Sequence, residues 1–529
     1  MQAHQIPIFK SWVPEWVARG ILFLILLTSA IGFALYANNP ESIQSFYGVE
    51  PNDVQFSIVL MYASIASFLA LDFRTVKYFT TRRYLLTGLF INAVCYIICF
   101  YTKNWELFLL CRFILGISCA LITSIVLNLI FPRIHSSRAR VIAYTIFYSG
   151  LQMISPLCGI YTSSVLHYLD FNWLFFGLLI LLVPVILIVY VSMNRGARIF
   201  KKFPLFDVDL TGYLLYTVIC IMTGYVLVFG QQLNWFGNIK IRVLSMIIFL
   251  ALALFVLREV KLKRPLVDLR LLQTRNVVLG LLILFVFYIF KSTSGFTYGY
   301  LEHVLGTDPL NIIPIWASSI AVTVLSMFVT SRFVLAGFSM IKTVITGFII
   351  LGLFYIYMLL FISDTGETND FILPVCLFSI ATGVIFVPAV IFTFSAAPPK
   401  IAFNTSIIGM FARFMGFCIA IAINNYLQLY STAAINEKIR ESVTETNPQL
   451  ERALIGIEQT LVNNGGGINS GHISSAYLKN YIHTEVLSRS IRDYYDFMLV
   501  LLVTFIAILI AVPGINKVVL RLRKGSVPY

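Results

Sequence analysis

Apolar stretches long enough to cross a bilayer succeed one another along nearly the whole chain, and Lys and Arg collect in every second gap between them. A run of about 20 apolar residues spans the hydrocarbon core as a helix. Short loops rich in Lys and Arg mark the cytoplasmic side. About fourteen such stretches are read, at roughly 20–36, 54–71, 85–101, 107–131, 141–166, 173–193, 210–229, 241–257, 277–296, 312–329, 343–362, 371–394, 407–427 and 497–515. Basic gaps hold Arg74, Lys77, Arg82 and Arg83, then Arg133, Arg138 and Arg140, then Arg195, Arg198, Lys201 and Lys202, then Lys261, Lys263, Arg264, Arg270 and Arg275. The gaps between them are acidic or nearly uncharged, as with Glu41, Glu50 and Asp53, or Asp364, Glu367 and Asp370. Shifting one span would break the alternation downstream. The expectation is an all-α integral membrane protein with both termini cytoplasmic.

Only 12% of the 529 residues are charged, and mean hydropathy is +0.87. A soluble chain carries about 25%. The net charge of +14 does not point to nucleic acid, because most of the 38 Lys and Arg fall in loops on one membrane face. All eight cysteines sit inside apolar runs, as small packing residues. The first run lacks a small-residue cleavage site and is expected to stay as a helix. The six histidines show no metal-ligand spacing, no Gly-rich phosphate loop is present, and no cofactor is expected.

One gap differs. Residues 428–496 are mostly polar, with helical spacing over 433–446 and 450–462, and a turn-rich Asn463-Asn464-Gly465-Gly466-Gly467 that divides them from 474–492. They read as a small cap on the outer face.

Local patterns resemble the major facilitator superfamily, and within it the fourteen-helix drug:proton antiporters. Lys77-Tyr78-Phe79-Thr80-Thr81-Arg82-Arg83 resembles the basic loop after the second helix, without its usual Gly and acid. Arg112 to Gly116 resembles an Arg-x-x-x-Gly motif, and Ser155-Pro156-Leu157-Cys158-Gly159 an antiporter Gly-Pro motif with Ser155 in place of Gly. Phe206 to Gly212, Arg264 to Arg270 and Tyr300 to Gly306 resemble stretches of the fourteen-helix branch. The resemblance implies two six-helix bundles, at 1–200 and 263–529, with two extra helices at 201–262 between them. It also implies a small-molecule substrate, protons as a coupling ion, residence in the cell inner membrane, and a periplasmic adaptor docked on the outer segment. One feature departs from it. The branch usually carries an Asp in the first span, whereas residues 25–32 contain no acid.

An ionisable residue deep in a span is costly and marks a candidate site. Arg112, Lys291 and Arg413 qualify, with Ser292, Ser294 and Asn424 as polar neighbours for substrate binding or coupling. Arg112 and Arg413 lie near span ends and could instead snorkel; Lys291 is the deepest. Arg82, Arg83, Gly116, Pro156, Gly159 and Asp207 are candidates for gating or for plain helix packing. The expected function is proton-coupled export of small amphipathic or anionic compounds or drugs. The rivals are an exporter or importer of a siderophore, fatty acid or metabolite, and, in another class, a membrane enzyme or a scaffold. An enzyme should show clustered nucleophile or metal patterns near one interface, and none appears.

Overall fold

The structure is a computed structural model. It describes residues 8–134, 139–199, 209–262, 264–362, 366–398, 401–442 and 470–511, with Arg452, Ile455, Gly456 and Gln459. Among these residues every regular element is helical, apart from one isolated bridge between Phe9 and Met193. Lipid offers backbone groups no hydrogen-bond partner, so a spanning segment must satisfy them internally, as a helix does.

Fourteen helices are long and apolar enough to cross a membrane. The first six are α1 (Glu15–Ala30), α2 (Pro51–Thr75), α3 (Thr81–Tyr101), α4 (Trp105–Ile130), α5 (Ala139–Leu166) and α6 (Trp173–Ser192). Two more follow, α7 (Leu210–Phe229) and α8 (Ile239–Lys261). The last six are α9 (Arg275–Lys291, resumed over Thr293–Gly299), α10 (Ile313–Leu335), α11 (Met340–Phe361), α12 (Ile372–Ala396), α13 (Asn404–Ser442) and α14 (Ser470–Ala511).

Short polar signals set the starts. Glu50 and Asp53 form a reciprocal capping box on α2, with Pro51 in its first turn. Asn104 caps α4 and Asn238 caps α8. Asp209 caps α7 through Gly212 N–H and pairs with Arg258 of α8, so one carboxylate both starts the extra hairpin and ties it together. Burial works to raise the pKa of Asp209, but Arg258 and the Gly212 N–H outweigh it and hold the carboxyl below its usual value.

Helices α1–α6 pack among themselves, as do α9–α14, and the two sets meet where α2 lies on α13 and where α5 lies on α10 and α12. The extra helices are not equivalent. Helix α7 packs on both α2 and α13, where Val59, Tyr62, Tyr216, Cys220, Phe414 and Cys418 share one apolar core. Helix α8 leans mainly on α7 and turns Met246, Phe249 and Val260 outward. At the face that carries the basic loops, Arg74 donates to the carbonyls of Arg264 (3.1 Å) and Pro265 (2.8 Å). Glu259 accepts from Val267 N–H and Asn404 from Asp268 N–H, so the Arg264–Arg270 stretch buckles α2, α8 and α13 together.

The outer segment needs a correction. Residues 433–442 do not begin a separate cap; they continue α13, and 474–492 belong to α14. At about 1.5 Å per residue these helices run on the order of 60 Å, twice the hydrocarbon thickness. Both therefore project past the face opposite the basic loops, packed on each other. The turn-rich 463–467 and almost all of 443–469 lie outside the described residues.

Candidate substrate site

One span is interrupted and another ends in a tight turn, and a cation stands beside each. Helix α9 stops at Lys291, turns at Ser292, and resumes. Helix α1 gives way to a tight turn at Ile31–Phe33. A discontinuous spanning helix exposes backbone and side chains where a carrier binds its cargo.

The α9 break faces α13 because the two helices approach very closely. A Cβ at Gly416 would run into the Phe285 carbonyl oxygen and lie 3.1 Å from Tyr288 Cβ. This contact sets Arg413 of α13 beside Tyr288 and Lys291 of α9. Arg413 is about 13 Å up its helix and only 7% exposed, so it does not snorkel. Its Nε donates to the Gly409 carbonyl at 3.0 Å. Its guanidinium stands 5.7 Å from the Tyr148 ring centre, with Tyr288 and Tyr62 nearby. Lys291 Nζ donates to Gln152 Oε1 and lies 5.4 Å from the Tyr288 ring centre. Gln152 Nε2 is buried without a partner. Aromatic rings line the surroundings: Phe33 meets Tyr62, and Phe386 meets Tyr148.

Two cations, three tyrosines and a glutamine thus converge from α2, α5, α9 and α13, two helices from each half. Among the described residues no carboxylate forms an ion pair with either cation. The acids in nearby spans are engaged elsewhere. Asp72, at the end of α2 and wholly buried by packing, accepts from Tyr84 through Oδ1, its Oδ2 without a partner. Glu259 is held by the Val267 N–H.

The other sequence candidates fall in different places. Arg112 is wholly buried but leaves this cluster. Its NH1 and NH2 donate to the carbonyls of Gly32 (2.6 Å) and Phe33 (3.1 Å), and its guanidinium lies over Tyr36 at 4.9 Å. Cys158 Sγ donates to the neighbouring Ile31 carbonyl at 3.1 Å. Arg112 therefore satisfies the end of α1, with its Nε buried and without a partner. Asn424 Nδ2 reaches Ser292 Oγ at 3.4 Å, its Oδ1 buried and unpartnered, so both stay beside the α9 break. Ser294 turns back to the Lys291 carbonyl. Arg82 is buried over the Tyr190 ring at 4.4 Å and Arg83 is exposed. Gly116 admits Ser64 and the Met61 carbonyl of α2. Pro156 lies inside α5, and Gly159 takes the Trp316 ring of α10 against its backbone. Asp207 lies outside the described residues.

Tyr62, Tyr148, Gln152 and Tyr288 escaped sequence reasoning. The tyrosines are three among 27. Gln152 carried the one usable signal, an uncharged amide within an apolar run.

The halves touch at both faces. On the side away from the basic loops, Gln55 of α2 and Asn425 of α13 exchange two amide hydrogen bonds, at 3.1 and 2.9 Å. Nearby, Tyr298 stacks on Trp316, and a cavity of only about 20 Å³ remains beside Asn38, Thr162 and Glu302. On the basic side Phe73 meets Phe403 and Tyr144 stacks on Phe394. The Gln55–Asn425 pair offers a direct test of movement. With Gln55→Cys and Asn425→Cys joined by a short bis-maleimide, transport is expected to fall at least about tenfold, since the halves can no longer separate there. Seven of the eight native cysteines are buried, which favours the introduced pair. Undiminished transport after full cross-linking would show that this seam does not open.

Paired helical halves around a buried polar centre make this chain a membrane transporter. It belongs to the major facilitator superfamily, whose sequence profile matches residues 21–421. The fourteen-helix organisation fits the branch that includes the multidrug export protein EmrB of Escherichia coli K12. That protein is 23% identical over 314 residues, covering 56% of this chain. The match spans 58% of the relative's length, less than two thirds. Solved structures share the fold. A bacterial homologue of the human lysosomal transporter Spinster, in an inward-facing and occupied conformation, has a TM-score of 0.55 at 13% identity, covering 97% of this chain and 99% of that one. A peptide transporter in complex with sulfate has a TM-score of 0.56 at 14% identity, covering 96% and 98%. The human organic anion transporter MFSD10 has a TM-score of 0.52 at 15% identity, covering 78% and 94%.

Proposed function

We propose that this protein exports amphipathic organic anions by alternating access, with the cargo held between Lys291 and Arg413. The observation that carries the reading is the approach of buried Arg413 to half-buried Lys291, neither with a carboxylate partner among the described residues. A charge drawn out of water without a counter-ion is costly, and a site that keeps one beside a second cation has a use for an anion. The unpartnered Gln152 Nε2 adds a hydrogen-bond donor for its oxygens. The rings of Phe33, Tyr62, Tyr148 and Phe386 supply an apolar wall for its hydrocarbon. Export follows from the likeness to a protein named for multidrug export, and an anionic cargo agrees with a fold neighbour named for organic anions.

In this reading the halves at 1–200 and 263–529 rock about the centre, with 201–262 between them. The membrane is the cell inner membrane and the basic face is cytoplasmic. Impermeant maleimide is then expected to label Glu437→Cys on intact cells and Arg83→Cys only after permeabilisation; labelling of both from outside would reverse the topology. The projecting ends of α13 and α14 provide a place for a periplasmic adaptor where the host has two membranes. Deleting 447–469 should abolish adaptor co-purification and leave vesicle transport intact, whereas equal loss of both would make the segment part of the carrier itself. The central test is uptake into inverted vesicles, comparing an aromatic sulfonate with neutral and cationic amphiphiles of similar size. Preference for the cation would overturn the reading.

A further inference from the structure

Arg413 stays protonated at any physiological pH, and among the described residues no acidic side chain pairs with it. Its Nε meets a carbonyl oxygen, its guanidinium lies near the Tyr148 ring, and the second cation, Lys291, lies beside the Tyr288 ring. Lys291 in turn meets an amide oxygen. From the elements packed around them, the facing groups are Tyr62 (α2), Tyr148 and Gln152 (α5), and Phe386 (α12), none of them acidic. The first span has no acid over 25–32.

Reorientation carries such a site through a state closed at both faces, and the contacts at Gln55–Asn425 and Phe73–Phe403 show how closely the halves can meet. Without cargo, that closure squeezes water from two like charges and leaves nothing to offset them. With an anion bound, one charge is cancelled and both cations gain a charge-assisted partner. The loaded protein therefore crosses faster than the empty one. We infer that this transporter works as an anion exchanger: an anion leaving one side is followed by an anion returning from the other, and the empty return is the slow step. The inference rests on the anionic cargo proposed above. It adds the identity of the counter-substrate, a second organic or inorganic anion in place of a proton.

The test uses the full chain in proteoliposomes loaded with naphthalene-1-sulfonate, an aromatic anion that carries no proton at neutral pH. Efflux is followed by fluorescence into media containing the same sulfonate, inorganic phosphate, or an impermeant cation with no transportable anion. At least tenfold faster efflux toward the sulfonate or phosphate, with little response to an imposed proton gradient, is the expected result. Equal efflux into anion-free medium, or an equal acceleration by a proton gradient alone, overturns exchange while leaving the anionic cargo in place. No sulfonate movement, beside movement of tetraphenylphosphonium, overturns both. Arg413→Gln and Lys291→Gln each remove one charge. In whichever is monodisperse and correctly folded, acceleration by external anion should drop below about twofold, and full acceleration would show that the cations are not its source.

Discussion

Lys291→Met yields a folded, membrane-inserted protein whose transport of an anionic amphipath is at least about tenfold below that of the parent. Methionine fills similar space and removes the charge. A hydrogen bond to a charged group contributes about 1.5–3 kcal/mol, and each 1.4 kcal/mol is about a factor of ten in affinity. The loss should therefore appear first as a weaker apparent affinity for the anion, measured as initial rate against concentration. Lys291→Arg keeps the charge and should retain part of the activity, because Gln152 Oε1 can accept from a guanidinium as it does from Nζ. Full activity in Lys291→Met would remove this residue from the mechanism and leave Arg413 alone.

Arg112→Met behaves in the opposite way. It leaves the carbonyls of Gly32 and Phe33 without their donors in an apolar interior. Two charge-assisted bonds vanish together, a loss on the order of 3–5 kcal/mol. The expected outcome is poor expression and a melting temperature several degrees lower in detergent, with transport per folded molecule largely kept. Arg112→Lys should fall between, since a single ammonium cannot reach both oxygens in the fork geometry of a guanidinium. An unchanged melting temperature with lost transport would return Arg112 to the cargo site.

These two residues mark where sequence reading succeeds and where it stops. Both stand out as cations in apolar runs, and the price of burying charge makes each significant. Sequence alone cannot say whether a cation faces a bound molecule or the carbonyls of a neighbouring helix, because Gly32 and Arg112 are brought together only by packing of α1 on α4. The spans were legible for a simpler reason. Lipid demands long apolar helices, and their charges follow a rule that a linear pattern can express. The tyrosines around Arg413 were not legible, since Tyr62, Tyr148 and Tyr288 come from three separate helices and each alone fits an ordinary packing role. The far-face segment fell between these cases. Its helical spacing over 433–442 was right, but spacing does not reveal that a helix is the continuation of a span.

Helix α7 rests on α2 and α13 at once, whereas α5 and α10 meet directly on the opposite flank. The molecule is therefore handed with respect to the surrounding lipid. One flank is shuttered by a hydrophobic plank, with Gly224 pressed to Val59 and close to Phe414. A solute dissolved among the acyl chains finds the gap between α2 and α13 barred on that flank, and on the other the two halves close it by direct contact.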